Sequence, residues 1–271
     1  MASVKKQLQT VSHLARLLAR KVAVPGAMEI DEQDFNVSWA ARHKFVIDHF
    51  RDAIENKVVV EYGSWNGGFL ECCRVHNVPC TYYGLDIVPE MIEFDRSQFG
   101  PCGDFRLLAE DGHIPDDIPP VDTIVLLDTL EHLPAKSEGS YLSHFASRLK
   151  EGGKLVISCP HWNKWSFLDP AWYFGHRHYS EAGLHQLLEE NGFQVQSCKF
   201  NGGVFGQLDT LVFYLYKHLL RRPYQSCGWM SRRLARESQA HQSGTAIYVL
   251  ARKGLGRCGS YLSQSLGGRR Q

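Results

Sequence analysis

Val58-Val59-Val60-Glu61-Tyr62-Gly63-Ser64-Trp65-Asn66-Gly67-Gly68-Phe69-Leu70 is the stretch on which the reading of this chain turns. Three β-branched residues in a row favour a strand buried on both faces, and the glycines after them allow a tight turn and close approach of backbone to a ligand. Phe69 and Leu70 then open an apolar helix, so the turn brings a helix N-terminus with unpaired N–H groups to the end of the strand. Taken alone, the pattern also fits a tight turn without a ligand, and dinucleotide enzymes use a related one.

Further along, short β-branched or apolar runs at 81–83, 105–107, 123–127 and 154–157 alternate with helical patterns. Near-continuous apolar strands separated by helices predict a parallel sheet covered on both faces. A helix over 181–190 is framed by Ser180 as N-cap and by Gly192 just past its end, with Leu184, Leu187 and Leu188 facing inward. Strands are expected at 194–199 and 245–252. Before the first strand, a helix should run over 39–54, and apolar residues at Val4, Leu8, Val11, Ala15, Leu18 and Val22 make one face of another. The expected fold class is α/β: a Rossmann-like seven-stranded, mostly parallel sheet with helices on both faces. An N-terminal helical extension (1–37) precedes the domain (38–253), a helical insertion (201–244) precedes the last strand, and 254–271 reads as a flexible basic tail.

Three further motifs occupy strand ends in the same order. The second strand ends in Gly84-Leu85-Asp86, where a carboxylate can accept hydrogen bonds from both hydroxyls of a ribose. The third is followed by Ala109-Glu110-Asp111-Gly112-His113, and the fourth by Asp128-Thr129-Leu130-Glu131-His132. On these residues, over about 56–195, the chain resembles the class I S-adenosylmethionine-dependent methyltransferases, in particular the type 11 and ubiquinone-pathway O-methyltransferase families. The resemblance implies S-adenosyl-L-methionine as cofactor. Glu61, Gly63, Ser64 and Gly67 would wrap its methionine end, Asp86 with Ile87 the ribose, Asp111 with Gly112 and His113 the adenine, and Asp128 would lie beside the methionine and the acceptor. One departure is Trp65, in place of the usual middle glycine. A bulky side chain there should need room and exclude a positive φ, either reshaping the pocket or marking a degenerate site.

Between the fifth and sixth strands, residues 160–179 hold Trp162, Trp165 and Trp172 among other aromatics. Ligands of open α/β sheets bind beyond the carboxyl ends of the strands, so this loop can wall an acceptor pocket, or it can form an aromatic mini-core. Methyl transfer to oxygen requires loss of the acceptor proton, and His132, His176 and His178 are the catalytic candidates, with His161 a further histidine of the loop. Asp128-x-x-Glu131-His132 is similar to the E-x-x-E-H metal motif of certain O-methyltransferases, but similar strings occur in relatives without metal, and no metal is expected. The acceptor is expected to be a small molecule carrying a hydroxyl or lipid-like group. The alternatives are an NAD-dependent reductase, a non-catalytic scaffold of the same fold and an RNA methyltransferase.

Composition narrows the setting. The 271 residues carry a net charge of +1, yet residues 1–28 and 238–271 each hold five Lys/Arg and no acid, which leaves the middle at −9. Basic ends on an acidic core suit solvated tails or attraction to an anionic surface. The eight cysteines form no C-x-x-C pair, favouring free thiols in a reducing compartment. No apolar run reaches the length of a spanning helix, and the expected location is cytoplasmic, with organelle targeting by the basic N-terminus or peripheral membrane attachment as alternatives. For the last of these, Leu208, Leu211, Val212, Leu215 and Leu219 recur at helical spacing, joined by Lys217, Arg221 and Arg222, so 208–222 is a candidate interfacial helix or else a helix that covers the acceptor pocket or packs in a dimer. DNA is not an expected partner, and the oligomeric state stays open.

Overall fold

The computed structural model describes residues 37–254, apart from 135, 165, 167–168, 170–171, 173–174, 217–219, 221–223, 225 and 238–243. The expected helix at 4–22 and the tail beyond Gly254 lie outside the described residues. Residues 38–271 cluster as one unit, separate from 1–37.

Helix α1 (Val37–Phe50) leads into β1 (Val58–Tyr62), α2 (Gly68–Val75), β2 (Thr81–Asp86), α3 (Pro89–Phe99), β3 (Asp104–Leu107) and β4 (Val121–Leu127). Then follow α4 (Glu138–Arg148), β5 (Leu149–Pro160), α5 (Glu181–Glu190), β6 (Phe193–Asn201), α6 (Val204–Leu215), α7 (Gly228–Glu237) and β7 (Ala246–Lys253). The seven strands form one sheet in the order β3-β2-β1-β4-β5-β7-β6. β1 to β5 pair in parallel, and β7 runs antiparallel between β5 and β6. This is the expected Rossmann-like class.

Strand periodicity separates two cores. Val60, Ile124, Leu126, Leu155, Ile157, Ile247 and Val249 point to the face covered by α4 and α5 through Leu142, Phe145, Leu184 and Leu188. Val59, Val125, Val156 and Tyr248 point the other way, against Phe45, Val46 and Phe50 of α1, Phe69 of α2 and Ile92 of α3. The alternation follows from the two-residue repeat of a strand, and burying each such side chain contributes about 1.5–3 kcal/mol. Helix α5 takes the expected bounds: the Ser180 hydroxyl accepts the Gly183 N–H, and Gly192 follows at φ +83°.

The helix expected from Leu208 starts four residues earlier. The Glu237 carboxylate of α7 accepts the N–H groups of Phe205 (3.1 Å) and Gly206 (2.9 Å), capping α6 from across the insertion. Lys217, Leu219, Arg221 and Arg222 lie outside the described residues. No helix among the described residues is long and apolar enough to cross a membrane.

Candidate active site

The carboxyl ends of β1, β2, β4 and β5 meet at one edge of the sheet, with the glycine turn at their centre. Gly63 and Ser64 donate their N–H groups to the Leu85 carbonyl (2.7 and 3.0 Å), extending the β1–β2 pairing into the turn. Gly63 has φ +85°, and a Cβ there would meet Thr129 Oγ1 at 2.5 Å. Gly67, at φ +67°, is the N-cap of α2, and a Cβ there would strike the Phe99 ring at 2.7 Å. The turn is therefore a tight glycine cradle walled by Thr129 and Phe99, which leave no room for a Cβ at either position.

Trp65 corrects a sequence-level expectation. It adopts φ +49°, the left-handed conformation that a bulky residue was expected to exclude. The conformation costs about 1–2 kcal/mol for an L-residue but is not forbidden. Because the side chain is 43% exposed, the indole needs no space inside the turn. The Trp65 N–H donates to Asp86 Oδ2 at 2.9 Å, which helps to hold the strained residue in place.

Asp86 is buried at the end of β2, and its Oδ1 accepts the Val88 N–H at 3.0 Å. Burial raises its pKa, opposed by the N–H groups of Trp65, Val88 and Ile87. A carboxylate offers about four acceptor positions, so with three N–H groups turned to it at least one remains for a ribose hydroxyl. Ile87 stands beside it, exposed. Asp111 is exposed, accepting the His113 N–H at 2.9 Å, and the His113 ring stacks on His144. The Gly112 carbonyl takes the Tyr62 hydroxyl at 2.7 Å.

Glu61 lies beneath the turn, buried, accepting a hydrogen bond from the Tyr82 hydroxyl, and its pKa is raised well above the carboxylate range by burial. Asp95 of α3 is a neighbour that the sequence did not signal. Ser64 Oγ donates to its Oδ2 at 3.4 Å, its Oδ1 has no partner, and burial pushes the group up to about 8. Two carboxyl groups that favour their protonated forms thus support the cradle from below.

Asp128 closes the other side at φ +50°. Its backbone N–H donates to the Ser158 carbonyl (3.0 Å) and Ser158 Oγ donates to its Oδ1 (3.2 Å), while Arg42 of α1 forms an ion pair with its Oδ2. The Asp128 charge, more than any other group, raises the Arg42 pKa above its ordinary value. Arg42 sits in a helix with no motif, and nothing in the sequence marked it.

The histidines divide. Arg177 donates to the carbonyls of Leu130 (2.9 Å) and Leu133 (2.6 Å) and pairs with Glu138, strapping the 161–180 loop to the turn after β4. The strap brings His132 and His176 together, with ring centroids 4.4 Å apart and an edge-on angle of 82°. Partial burial, then His176 and Arg177, push His132 down to about 4, against the opposing charge of Asp128, and burial lowers His176 as well. His178 is placed differently, with its side chain buried and Nε2 at 3.2 Å from Asp169. His161 Nδ1 lies 2.7 Å from the Gly244 carbonyl and braces the ends of the insertion. The loop closes on itself where Trp162 donates its N–H to Tyr179 (2.9 Å) and Tyr179 donates to Pro160 (2.9 Å), and Trp162 packs on Trp172 at 4.5 Å. Trp165 and the remaining aromatics of that loop lie outside the described residues.

Glu131, His132 and His176 also hold one potential metal-ligand atom each within 4.8 Å of one another, and buried Glu131 Oε2 has no hydrogen-bond partner. These donors could accept a divalent cation.

The fold, the glycine cradle and the carboxylates at the ends of β2 and β4 define a class I methyltransferase. A family model described as a methyltransferase domain matches residues 39–197, and the chain belongs to this family. It is an S-adenosylmethionine-dependent methyltransferase, which sets aside the reductase and the non-catalytic scaffold. Among curated proteins none matches the sequence.

Solved structures share the fold at low identity. A candidate sarcosine dimethylglycine methyltransferase from Galdieria sulphuraria is 14% identical, with 78% of this chain and 85% of that one covered and a TM-score of 0.54. Magnesium protoporphyrin IX methyltransferase from Synechocystis PCC 6803, with bound SAH, is 14% identical over 94% of this chain and 100% of that one, at 0.53. Human N-acetylserotonin methyltransferase in complex with SAM is 16% identical over 80% and 53%, at 0.52.

Proposed function

We propose that the enzyme methylates a hydroxyl of a small, lipid-like acceptor lying between the glycine cradle and the 161–180 loop. S-adenosyl-L-methionine supplies an electrophilic methyl group when bound. Gly63, Ser64 and Gly67 would bound its methionine end, Asp86 and Ile87 its ribose, and Asp111 with Gly112 its adenine. Glu61 supports that turn from beneath, and Asp128, fixed by Arg42 and Ser158, stands between cofactor and acceptor.

The observation that carries the choice of a hydroxyl is the His132–His176 pair. Both rings are neutral at physiological pH, so each keeps a lone pair that can accept the acceptor's proton as the new O–C bond forms. His178, held by Asp169, would position the loop rather than touch the acceptor. The test is mass spectrometry of a cell extract incubated with the protein and isotope-labelled S-adenosylmethionine. An O-methylated product supports the reading, and a labelled amine or RNA overturns it. His132→Ala and His176→Ala should each lower turnover at least tenfold while SAH affinity survives.

A cation on Glu131, His132 and His176 is the second route to a deprotonated hydroxyl, favoured by the orphaned Glu131 Oε2. Turnover that vanishes after chelation and returns with Mg²⁺, in the wild type and in Cys198→Ser alike, would select it.

The insertion supports a lipid-like acceptor. It leaves the sheet after β6, whose carboxyl end is on the same edge as that of β5, because both pair antiparallel with β7. Leu208, Leu211 and Leu215 of α6 are exposed, as are Trp229, Arg232, Arg233 and Arg236 of α7. Trp229 meets Phe205 edge-on at 5.5 Å, and the Arg233 guanidinium lies 5.4 Å from the Phe205 ring centre, so apolar stripe and basic helix adjoin. Asp209 points inward to Tyr224 (2.6 Å) and Ser226 (2.8 Å), and Glu237 is engaged in capping α6. An apolar stripe bordered by Trp and Arg complements an anionic bilayer surface, where each arginine contributes about 1 kcal/mol. The enzyme should sediment with phosphatidylglycerol-containing vesicles, and Leu211→Ser/Leu215→Ser should not. A wild type left in the supernatant at low salt would eliminate the contact.

A further inference from the structure

Cys198 of β6 faces the first turns of α5. One ligand-type atom from each of Glu181, His185 and Cys198 lies within 4.8 Å of the others. Glu181 and His185 are four residues apart on α5, so they project from the same face. His185 Nε2 is buried and has no hydrogen-bond partner, which an imidazole nitrogen in a protein interior rarely tolerates without reason. The three side chains belong to neither the cofactor cradle nor the His132–His176 pair.

We propose that Glu181, His185 and Cys198 form a zinc site that fastens the end of the 161–180 loop to the sheet. A thiolate, an imidazole and a carboxylate are a donor set that Zn²⁺ takes in four-coordinate geometry, with water in the remaining position. The thiolate selects Zn²⁺ over Mg²⁺ and Ca²⁺, whereas Glu131, His132 and His176 offer no sulfur. With metal–ligand bonds of about 2.0–2.3 Å, tetrahedral donors sit about 3.5 Å apart, so side-chain rotations of about 1 Å would close the present arrangement. Binding forms the Zn–S bond while the thiol proton leaves to solvent.

The position gives the site a consequence. Glu181 directly follows Ser180, the N-cap of α5, and the loop carrying His176, Arg177 and His178 ends there. Two of the ligands come from α5 and one from β6, so the metal would fix the loop end to the edge strand and steady the acceptor wall without entering the reaction.

The test uses the full chain, stripped with a chelator and titrated with Co²⁺ as a spectroscopic substitute for Zn²⁺. Wild type should develop a near-ultraviolet thiolate-to-cobalt band at one equivalent, and Zn²⁺ should quench it. Cys198→Ser should abolish the band and His185→Ala should weaken Co²⁺ binding at least tenfold, while both retain SAH binding as proof of folding. His132→Ala should leave the band unchanged. A wild type without the band, or a band of equal strength in Cys198→Ser, overturns the proposal. Because none of these readouts depends on turnover, failure of the proposed acceptor chemistry would leave the result interpretable.

Discussion

Replacing Asp86 by alanine separates two roles of one carboxylate. Its oxygens hold the Trp65 N–H (2.9 Å) and the Val88 N–H (3.0 Å), one on each side of the cofactor edge. A hydrogen bond to a charged acceptor is worth about 1.5–3 kcal/mol. Trp65 is open to solvent, so water can replace the carboxylate at its N–H, and the loss should sit near the lower end for two such bonds, about 3 kcal/mol in total. From the sequence alone the substitution would leave the fold untouched; the structure predicts a destabilised but folded variant. A remaining acceptor position would make a charge-assisted bond to a ribose hydroxyl, and losing it weakens the cofactor at least about tenfold. Calorimetric titration with SAH and urea unfolding measure the two effects separately. Asp86→Asn keeps the shape but offers a single acceptor oxygen, so its stability should fall between those of wild type and Asp86→Ala. A folded Asp86→Ala with unchanged SAH affinity would refute the reasoning and leave the carboxylate serving the turn alone.

Gly63→Ala combines positive-φ strain with a clash on Thr129 and should lose about 2–5 kcal/mol in urea unfolding, of which adding Thr129→Ala recovers about 1–3. Trp65→Gly relieves left-handed strain but frees the unfolded chain, so its stability should change by less than about 1 kcal/mol; a larger loss would show that the indole packs on something in solution. His43, pushed down to about 4 chiefly by burial, stays neutral in the native state. Its contribution is complete above its ordinary pKa of about 6.5 and is lost as pH falls from there towards 4, by up to about 1.4 kcal/mol per pH unit, and His43→Phe should flatten that limb of the stability curve. Asp95 has the opposite sign: its carboxyl is raised to about 8, the native state holds the extra proton, and stability falls as pH climbs from its ordinary value to 8. Asp95→Asn should flatten the decline between pH 6.5 and 8, and an unchanged slope would show that Asp95 is ionised.

Much of the framework was legible in the sequence because it rests on local pattern. Val58 to Val60 and Thr123 to Leu127 announce buried strands by their side chains alone, and Ser180 with Gly192 marks both ends of α5. The glycine turn and Asp86 were legible for the same reason, since strand, turn and carboxylate follow a fixed order along the chain. Helix α7 was not, because its Arg-rich sequence carries no long apolar stripe, and its role in capping α6 depends on a contact across 31 residues between Glu237 and Gly206. Nor does a helix sequence reveal that Arg42 will meet Asp128, 86 residues away. Periodicity and turn chemistry are set between neighbours in the chain, so the sequence by itself determined the layers and the position of the cofactor edge. Charge pairing, the Arg177 strap, the burial that keeps His132 and Asp95 uncharged and the left-handed turn of Trp65 arise between segments that only packing brings together. Tertiary structure decided those, because electrostatic and desolvation energies depend on distance in space, which a linear spacing does not record.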